Sequence, residues 1–375
     1  MAAEIVVVTG ATGFVGSYVV KELLETTSYA VRAVVRDAQN ADKTQFLRDL
    51  VPEGDDGRLS FWSADLTSDG SFDAAVMGSH YVVHTAATVS LTARHPQRDI
   101  VDVNVNGVRN VLRACQQATR AGTFRRMVMT ASVSTIEDLA LPAGHVFTEA
   151  DFNNSATVQN DPYPYSKRMS EQAAMDFVQA LSSEDKFEVV FVNPGAIYGP
   201  HLAAHHLNGS SAIIRDLMTG KVPMCPQLAF GYVDVRDVAK VHVALLTQGT
   251  AGASSHWSSS TLLTCMSNPM PQSAICWWRA FLLAIPFSGE NIERLDVKSG
   301  VPAQSCLNKQ GWQALHPTVI THYDQLTHDL QPLFDSSKIR QLLGFEFTAK
   351  EKTLKDSMDA LIAHGEVESP AEANS

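Results

Sequence analysis

The segment Ile5-Val6-Val7-Val8-Thr9-Gly10-Ala11-Thr12-Gly13-Phe14-Val15-Gly16 joins an apolar run to three glycines spaced three residues apart. The run has the Val content and length of a buried strand, and the residues after it follow a helical period. A glycine-rich turn between a strand and a helix lets the backbone approach a phosphate, and the helix N-terminus offers free N–H groups to the anion. The segment therefore predicts a dinucleotide-binding turn, hereafter the glycine turn.

The same strand-then-helix pattern repeats along the first 195 residues. Further apolar runs lie at Ala30–Val35, Leu59–Trp62, Tyr81–His84, Met127–Thr130 and Phe187–Val192, and stretches of helical period lie at Val15–Leu24, Val101–Ala118 and Ser166–Leu181. Strands that alternate with helices predict a parallel sheet covered on both faces. The expected fold class is α/β, a Rossmann doubly wound parallel sheet with a smaller C-terminal substrate lobe, and ligands bind such sheets at the carboxyl ends of the strands.

The pattern changes after Val192, where the chain becomes rich in loops and proline. We expect residues 1–192 and 233–248 to form the dinucleotide-binding domain. Residues 193–232 and 249–365 are expected to form the substrate-binding lobe. The polar residues 366–375 are expected to form a flexible tail.

Composition disfavours several classes of protein. The net charge is -11, whereas binding to nucleic acid requires an excess of Lys and Arg. The N-terminus lacks the features of a signal peptide, and the apolar stretch Cys276–Phe287 is too short to span a bilayer, so no membrane partner is expected. The five cysteines have no CxxC spacing, which favours free thiols in the cytoplasm and no metal site.

The second strand ends at Arg36, twenty residues after Gly16. An acidic residue at this place would bond the ribose 2′-hydroxyl of NAD, whereas an arginine accommodates the 2′-phosphate of NADP. Lys43 follows seven residues later and could add a second positive charge. Asp37 could instead be the acidic residue, one position late, so the spacing alone leaves both cofactors open.

The ends of the third and fourth strands supply further candidates for contacts with a cofactor. Asp65 and Leu66 follow the third strand and are placed to meet an adenine. Thr85, Ala86 and Ala87 end the fourth strand, where small residues would let the cofactor lie close. An Asp after a strand also commonly caps a turn, which is the competing interpretation of Asp65.

The sequence Tyr163-Pro164-Tyr165-Ser166-Lys167 opens a helix and contains the catalytic candidates. Tyr163 and Lys167 are four residues apart and so share a helix face. A phenol has a pKa near ~10, and a nearby ammonium group lowers this pKa toward the working range. Tyr165 has Met169 at the corresponding spacing and is the weaker candidate.

Ser132 follows the fifth strand, at the carboxyl edge where the tyrosine is also expected. A hydroxyl group there could hydrogen-bond a carbonyl oxygen on which negative charge develops. A serine at a strand end can also cap its own backbone, and Ser134 is a less suitable alternative.

These residues resemble the extended short-chain dehydrogenase/reductase superfamily, and within it the dihydroflavonol 4-reductase, cinnamoyl-CoA reductase and fungal aldehyde/ketone reductase group. The matching stretches are Val8–Gly16, Val31–Asp37, Asn104–Gly107, Asn193–Pro200 and Tyr232–Ala239. The resemblance covers residues 4–248 and resumes at 334–361, whereas residues 251–321 match the group poorly.

The resemblance implies that Ser132, Tyr163 and Lys167 are the catalytic residues and that Asn104 supports the proton relay. It implies that Arg36 and Lys43 hold the 2′-phosphate of NADP(H), with Asp37 as a neighbour only. The implied cofactor contacts are Gly10, Thr12, Gly13, Phe14, Val15, Gly16, Arg36, Lys43, Asp65, Leu66, Thr85, Ala86, Ala87, Tyr163, Lys167 and Pro194, with Pro194 near the nicotinamide.

The expected activity is NADPH-dependent reduction of an aldehyde or ketone by a monomer or homodimer. An epimerase/dehydratase or a steroid dehydrogenase on the same scaffold is the alternative enzyme; Arg36 disfavours the epimerase, because such enzymes usually retain NAD. A catalytically impaired NADP-binding regulator is the alternative outside catalysis. The intact Ser132, Tyr163 and Lys167 set argues against the regulator, and the unusual stretch 251–321 argues for it.

Overall fold

A computed structural model describes the chain over residues 3–55, 57–89, 93–142, 144–207, 209–219, 221, 231–248, 260–265, 333–344 and 346–367. The strands in these ranges are β1 (Ile5–Thr9), β2 (Ala30–Val35), β3 (Leu59–Ser63), β4 (Tyr81–His84), β5 (Arg126–Thr130), β6 (Val146–Phe147), β7 (Glu188–Pro194), β8 (Ala196–Tyr198), β9 (Tyr232–Asp234), β10 (Ser260–Cys265) and β11 (Leu333–Phe334). The helices are α1 (Phe14–Thr26), α2 (Ala41–Arg48), α3 (Asp73–Val76), α4 (Val103–Arg120), α5 (Pro162–Gln179), α6 (Ser210–Met218), α7 (Val235–Ala244), α8 (Ser337–Leu343) and α9 (Lys350–Ala363).

The main sheet has seven parallel strands in the order β3-β2-β1-β4-β5-β7-β10. The direction of progression reverses between β1 and β4. A doubly wound sheet binds ligands in the crevice at such a reversal, outside the carboxyl ends of the strands. The Rossmann fold class expected from the sequence is therefore confirmed.

Strand β1 shows why the sheet needs helices on both of its faces. Val6 and Val8 point to one face and join a buried apolar cluster with residues of α1 and α7, whereas Val7 points to the other face and packs with residues of α4. All three side chains are fully buried. A continuous apolar run is the pattern of a parallel strand covered on both sides.

The stretch 251–321, which matches the resembled group poorly, contributes a strand to the main sheet. Residues 260–265 form β10, which extends the sheet by pairing in parallel with β7 from Val189 to Pro194. An edge strand gains backbone hydrogen bonds from its neighbour, which can organise a segment whose own pattern is weak. The other residues of this stretch lie outside the described part of the chain, as do residues 368–375 of the expected tail.

The motif Tyr232–Ala239 connects the sheet to the C-terminal helix α9. Asp234 is buried, and its carboxylate accepts a hydrogen bond from the Thr353 hydroxyl at 2.7 Å. Arg236 forms ion pairs with Asp234 at 2.6 Å and with Asp356 at 2.5 Å. Asp234 and Arg236 therefore hold α9 against the domain that contains the glycine turn.

Among the described helices, none has the length and apolar character that a bilayer crossing requires.

Candidate active site

The glycine turn brings the ends of β1 and β4 into contact. Gly10 has φ +68°, and a Cβ atom placed on it would lie 2.8 Å from Cα of Ala86. The Thr85 hydroxyl donates to the Thr9 carbonyl oxygen at 2.7 Å, and the Gly13 amide donates to the Gly10 carbonyl at 2.8 Å. Only glycine fits at position 10, and the turn keeps its backbone open to a close ligand.

Helix α1 begins directly at the glycine turn, with Gly13 at its N-cap. No side chain caps this end, and its first turn contains no acidic residue. The free N–H groups and the partial positive charge of a helix N-terminus favour an anion. Phe14 and Val15, two of the predicted contacts, are half-buried in this first turn.

Arg36 and Lys43 lie beside the glycine turn, where the 2′-phosphate of NADP was expected. Arg36 follows β2, Lys43 is in the first turn of α2, and both side chains are exposed. Within the described ranges neither residue forms an ion pair. Asp37 Oδ1 accepts a hydrogen bond from the Gln39 amide at 3.0 Å, so this carboxylate caps a turn, in agreement with its interpretation as a neighbour.

Asp65 and Leu66 have local structural partners as well as the expected position. Asp65 Oδ1 accepts a hydrogen bond from the Thr67 amide at 2.8 Å, as in the turn-capping interpretation. Hydrogen bonds from Thr67 lower the pKa of Asp65, and the charge of Arg36 lowers it further. Leu66 packs against Gly107 on α4, where an added Cβ would lie 2.7 Å from Leu66 Cδ2. A contact of either residue with the cofactor stays a prediction.

Two further predicted contacts lie at strand ends. Ala87, three residues after the end of β4, is exposed, whereas Pro194 is the last residue of β7 and is buried.

Ser132, Tyr163 and Lys167 come together at the carboxyl edge, which is the arrangement expected from the sequence. The Ser132 side chain lies beside the Tyr163 phenol and lowers its pKa by hydrogen bonding. Lys167 is 7% exposed, and its ammonium group lies 3.4 Å from the Thr130 carbonyl oxygen. Ser134 supplies only its backbone amide, which donates to Ser132 Oγ at 3.1 Å. Ser132 is thus the serine that the structure brings to the tyrosine.

The electrostatics of this cluster differ from the sequence argument. Lys167 was expected to lower the pKa of Tyr163, but burial has the largest effect and raises that pKa, with the hydrogen bond to Ser132 acting in the opposite direction. Burial also lowers the pKa of Lys167 to about 8, while the charge of Glu171 opposes the change. The expectation was wrong because spacing on a helix says nothing about desolvation, which disfavours both charged forms.

Asn104 contacts α5, and both polar atoms of its side chain already have hydrogen-bond partners. Its amide nitrogen donates to the Thr88 carbonyl and to Ser166 Oγ, both at 2.9 Å. Its amide oxygen accepts from the Thr88 amide at 2.7 Å. These bonds fasten the segment after β4 to α5 beside Lys167, while support of a proton relay stays a prediction.

The sequence argument missed a buried polar network behind the cluster. The Asn193 amide nitrogen lies 3.0 Å from the Ser132 carbonyl oxygen, 2.7 Å from Thr135 Oγ1 and 3.3 Å from Glu171 Oε2. Burial raises the pKa of Glu171 to about 7, and hydrogen bonds from Thr135 and Asn193 together with the charge of Lys167 oppose this rise. A Glu four residues after a buried Lys was a signal available in the sequence.

The sequence is similar to those of known proteins over most of its length. The NAD dependent epimerase/dehydratase family matches residues 6–258. Dihydroflavonol 4-reductase of Zea mays is 30% identical over 361 residues, which are 95% of this chain and 87% of that protein. Tetraketide alpha-pyrone reductase 1 of Arabidopsis thaliana is 30% identical over 371 residues, which are 96% of both chains.

Among solved structures, Gre2 of Candida albicans in complex with NADPH is similar in fold, with a TM-score of 0.73 and 24% identity. The similarity covers 96% of this chain and 99% of that one. The resemblance inferred from the motifs is thereby confirmed.

Proposed function

The chain belongs to the NAD dependent epimerase/dehydratase family, and we propose that within it the chain is an NADPH-dependent reductase of an aldehyde or ketone carbonyl, similar to dihydroflavonol 4-reductase. The observation that carries this proposal is the cluster of buried Ser132, half-buried Tyr163 and buried Lys167 at the sheet edge that also carries the glycine turn. Relatives named as reductases support it over most of the chain's length.

The described residues fit NADPH at three points. Gly10 leaves a cradle that a side chain would fill, α1 presents an uncapped N-terminus, and the exposed Arg36 and Lys43 offer two cations for a 2′-phosphate. When bound, NADPH supplies the hydride that reduces the carbonyl carbon. The exposed arginine at the end of β2 favours this cofactor over NAD, and so favours a reductase over an epimerase.

In this proposal Tyr163 is the general acid and donates its phenolic proton to the carbonyl oxygen. Burial raises the pKa of Tyr163, which keeps the phenol protonated until the oxygen gains negative charge. Ser132 orients the same oxygen through its hydroxyl group. With a pKa of about 8, Lys167 is mostly charged at neutral pH and stabilises the phenolate that remains.

The proposal includes a substrate-binding lobe formed by residues 193–232 and 249–365. Helix α9, held by the Arg236–Asp356 ion pair, is one described part of this lobe that contacts the cofactor-binding domain. The substrate would enter between this lobe and the carboxyl edge of the sheet, where ligand sites of doubly wound folds lie.

The test is to follow NADPH oxidation with a panel of aldehydes, diketones and dihydroflavonols, with NADH in parallel. Turnover of at least one carbonyl compound, with NADPH preferred, is the expected result. Tight NADPH binding with no turnover of any compound would support the regulator instead. Isomerisation of a nucleotide sugar without net oxidation of the cofactor would support an epimerase.

A further inference from the structure

The chain segment after β8 crosses the start of α1 and carries two adjacent histidines. The Tyr18 hydroxyl on α1 donates to the Pro200 carbonyl at 2.9 Å. A short 3-10 turn, Ala204–His206, follows. His205 Nε2 lies 3.0 Å and His206 Nε2 lies 3.1 Å from the carbonyl oxygen of Thr12 in the glycine turn. Two side chains nearly two hundred residues away in sequence thus meet one backbone oxygen.

A carbonyl oxygen only accepts hydrogen bonds, so both Nε2 atoms must carry a hydrogen. Nδ1 of His206 is buried and has no hydrogen-bond partner among the described residues. Burial and, to a smaller extent, the neighbouring His205 lower the pKa of His206 to about 3. His206 is therefore neutral at physiological pH, with its hydrogen on Nε2. Protonation of Nδ1 would bury a second N–H group without an acceptor.

The histidine pair also contacts the helix that carries Lys43. The ring of Phe46 on α2 lies 5.5 Å from that of His205 and 5.3 Å from that of His206, both in edge-on packing. Phe46 is three residues after Lys43, so the two residues are neighbours on the surface of α2. Burial lowers the pKa of His205, and the nearby charge of Lys43 adds to this effect. The pair thus joins the glycine turn to α2.

We propose that His205 and His206 are positioning residues for NADPH, which set the glycine turn and α2 in the relative position that the diphosphate and the 2′-phosphate require. Two donors fix the Thr12 peptide of the glycine turn, directly before the uncapped N-terminus of α1 that would meet the diphosphate. Phe46 transmits the same constraint to Lys43. This inference rests on the proposed NADPH binding, but the two can fail separately.

The test compares two double variants that differ in hydrogen bonding more than in size. His205→Leu with His206→Leu fills much of the ring volume and removes both donors. His205→Gln with His206→Gln keeps an amide nitrogen near the place of each Nε2. We expect the leucine variant to bind NADPH about tenfold more weakly in a fluorescence titration, and the glutamine variant to recover most of this loss. With saturating NADPH, kcat should change little in either variant.

His364→Leu is the matched control, because His364 Nε2 donates to the His201 carbonyl at 3.0 Å, beside the pair but away from the glycine turn. It should bind NADPH as the unmodified protein does. If the leucine double variant does not fold, the single change at half-buried His205 carries the same comparison. Equal NADPH affinity in all variants, or equal loss with leucine and glutamine, would overturn the inference. Failure of the unmodified protein to bind NADPH would overturn the proposed function instead.

Discussion

The proposed catalytic cluster of Ser132, Tyr163 and Lys167 and the proposed phosphate edge, formed by Arg36 and Lys43, are built in opposite ways. In the cluster, Lys167 and Glu171 are almost entirely buried, and burial dominates the pKa of each. At the phosphate edge, Arg36 and Lys43 extend into solvent. In the proposed mechanism, desolvation prepares groups of the cluster for proton transfer, whereas the edge keeps hydrated cations that a highly charged ligand can neutralise.

Because of this difference, we expect changes in the two regions to alter different kinetic constants. A change in the cluster should act on groups that matter in the transition state and so reduce kcat. A change at the phosphate edge should weaken binding of the cofactor in the ground and transition states alike, and so raise KM for NADPH.

Tyr163→Phe should give the largest effect, because it removes the proposed general acid. We expect kcat to fall by about three orders of magnitude, with little change in the Kd of NADPH. Tyr165→Phe is the control on the same helix, since Tyr165 packs against an apolar cluster that includes Val105 and Ala173. Steady-state rates and cofactor titrations would check both. A severe loss in Tyr165→Phe with a mild one in Tyr163→Phe would show that the other phenol is the acid.

Arg36→Ala should give the next largest effect and act on affinity alone. Loss of a charged contact to the 2′-phosphate should weaken NADPH binding by about ten- to a hundredfold and leave NADH binding unchanged. Arg48→Ala is the control, because Arg48 is an exposed cation on α2 that lies over the ring of Phe61. Parallel titrations with both cofactors would measure the effect. Tighter binding of NADH than NADPH by the unmodified protein would contradict the assignment.

The sequence predicted the sheet and the meeting of Ser132, Tyr163 and Lys167 because both follow from local patterns. Apolar runs that end in turn residues identify β1 to β5 and β7, and parallel strands bring their carboxyl ends to one edge. Ser132 and the Tyr163–Lys167 pair follow such ends, so they had to lie near one another. Strand β10 was not predicted, because its pairing with β7 compensates for a weak local pattern.

The networks around the site were not predictable in the same way. Asn193 meets Ser132, Thr135 and Glu171 only because β7, α5 and the segment after β5 pack together. Helical spacing paired Lys167 with Tyr163 but gave no measure of burial, which decides the direction of both pKa shifts. Long-range contacts and desolvation are properties of the folded chain, and neither leaves a periodic signal in the sequence.

Glu171→Gln should give the smallest effect, seen only in the pH profile. Activity should fall as pH rises through about 8, where Lys167 loses its charge. Glutamine removes the carboxylate that favours the charged lysine, so the pKa of Lys167 should fall and the alkaline limb should move to lower pH. A shift of about half a pH unit means roughly a twofold loss at pH 8. Asp176→Asn, exposed on the same helix, is the control. An unmoved limb, or one moved to higher pH, would show that Glu171 does not hold the charge of Lys167.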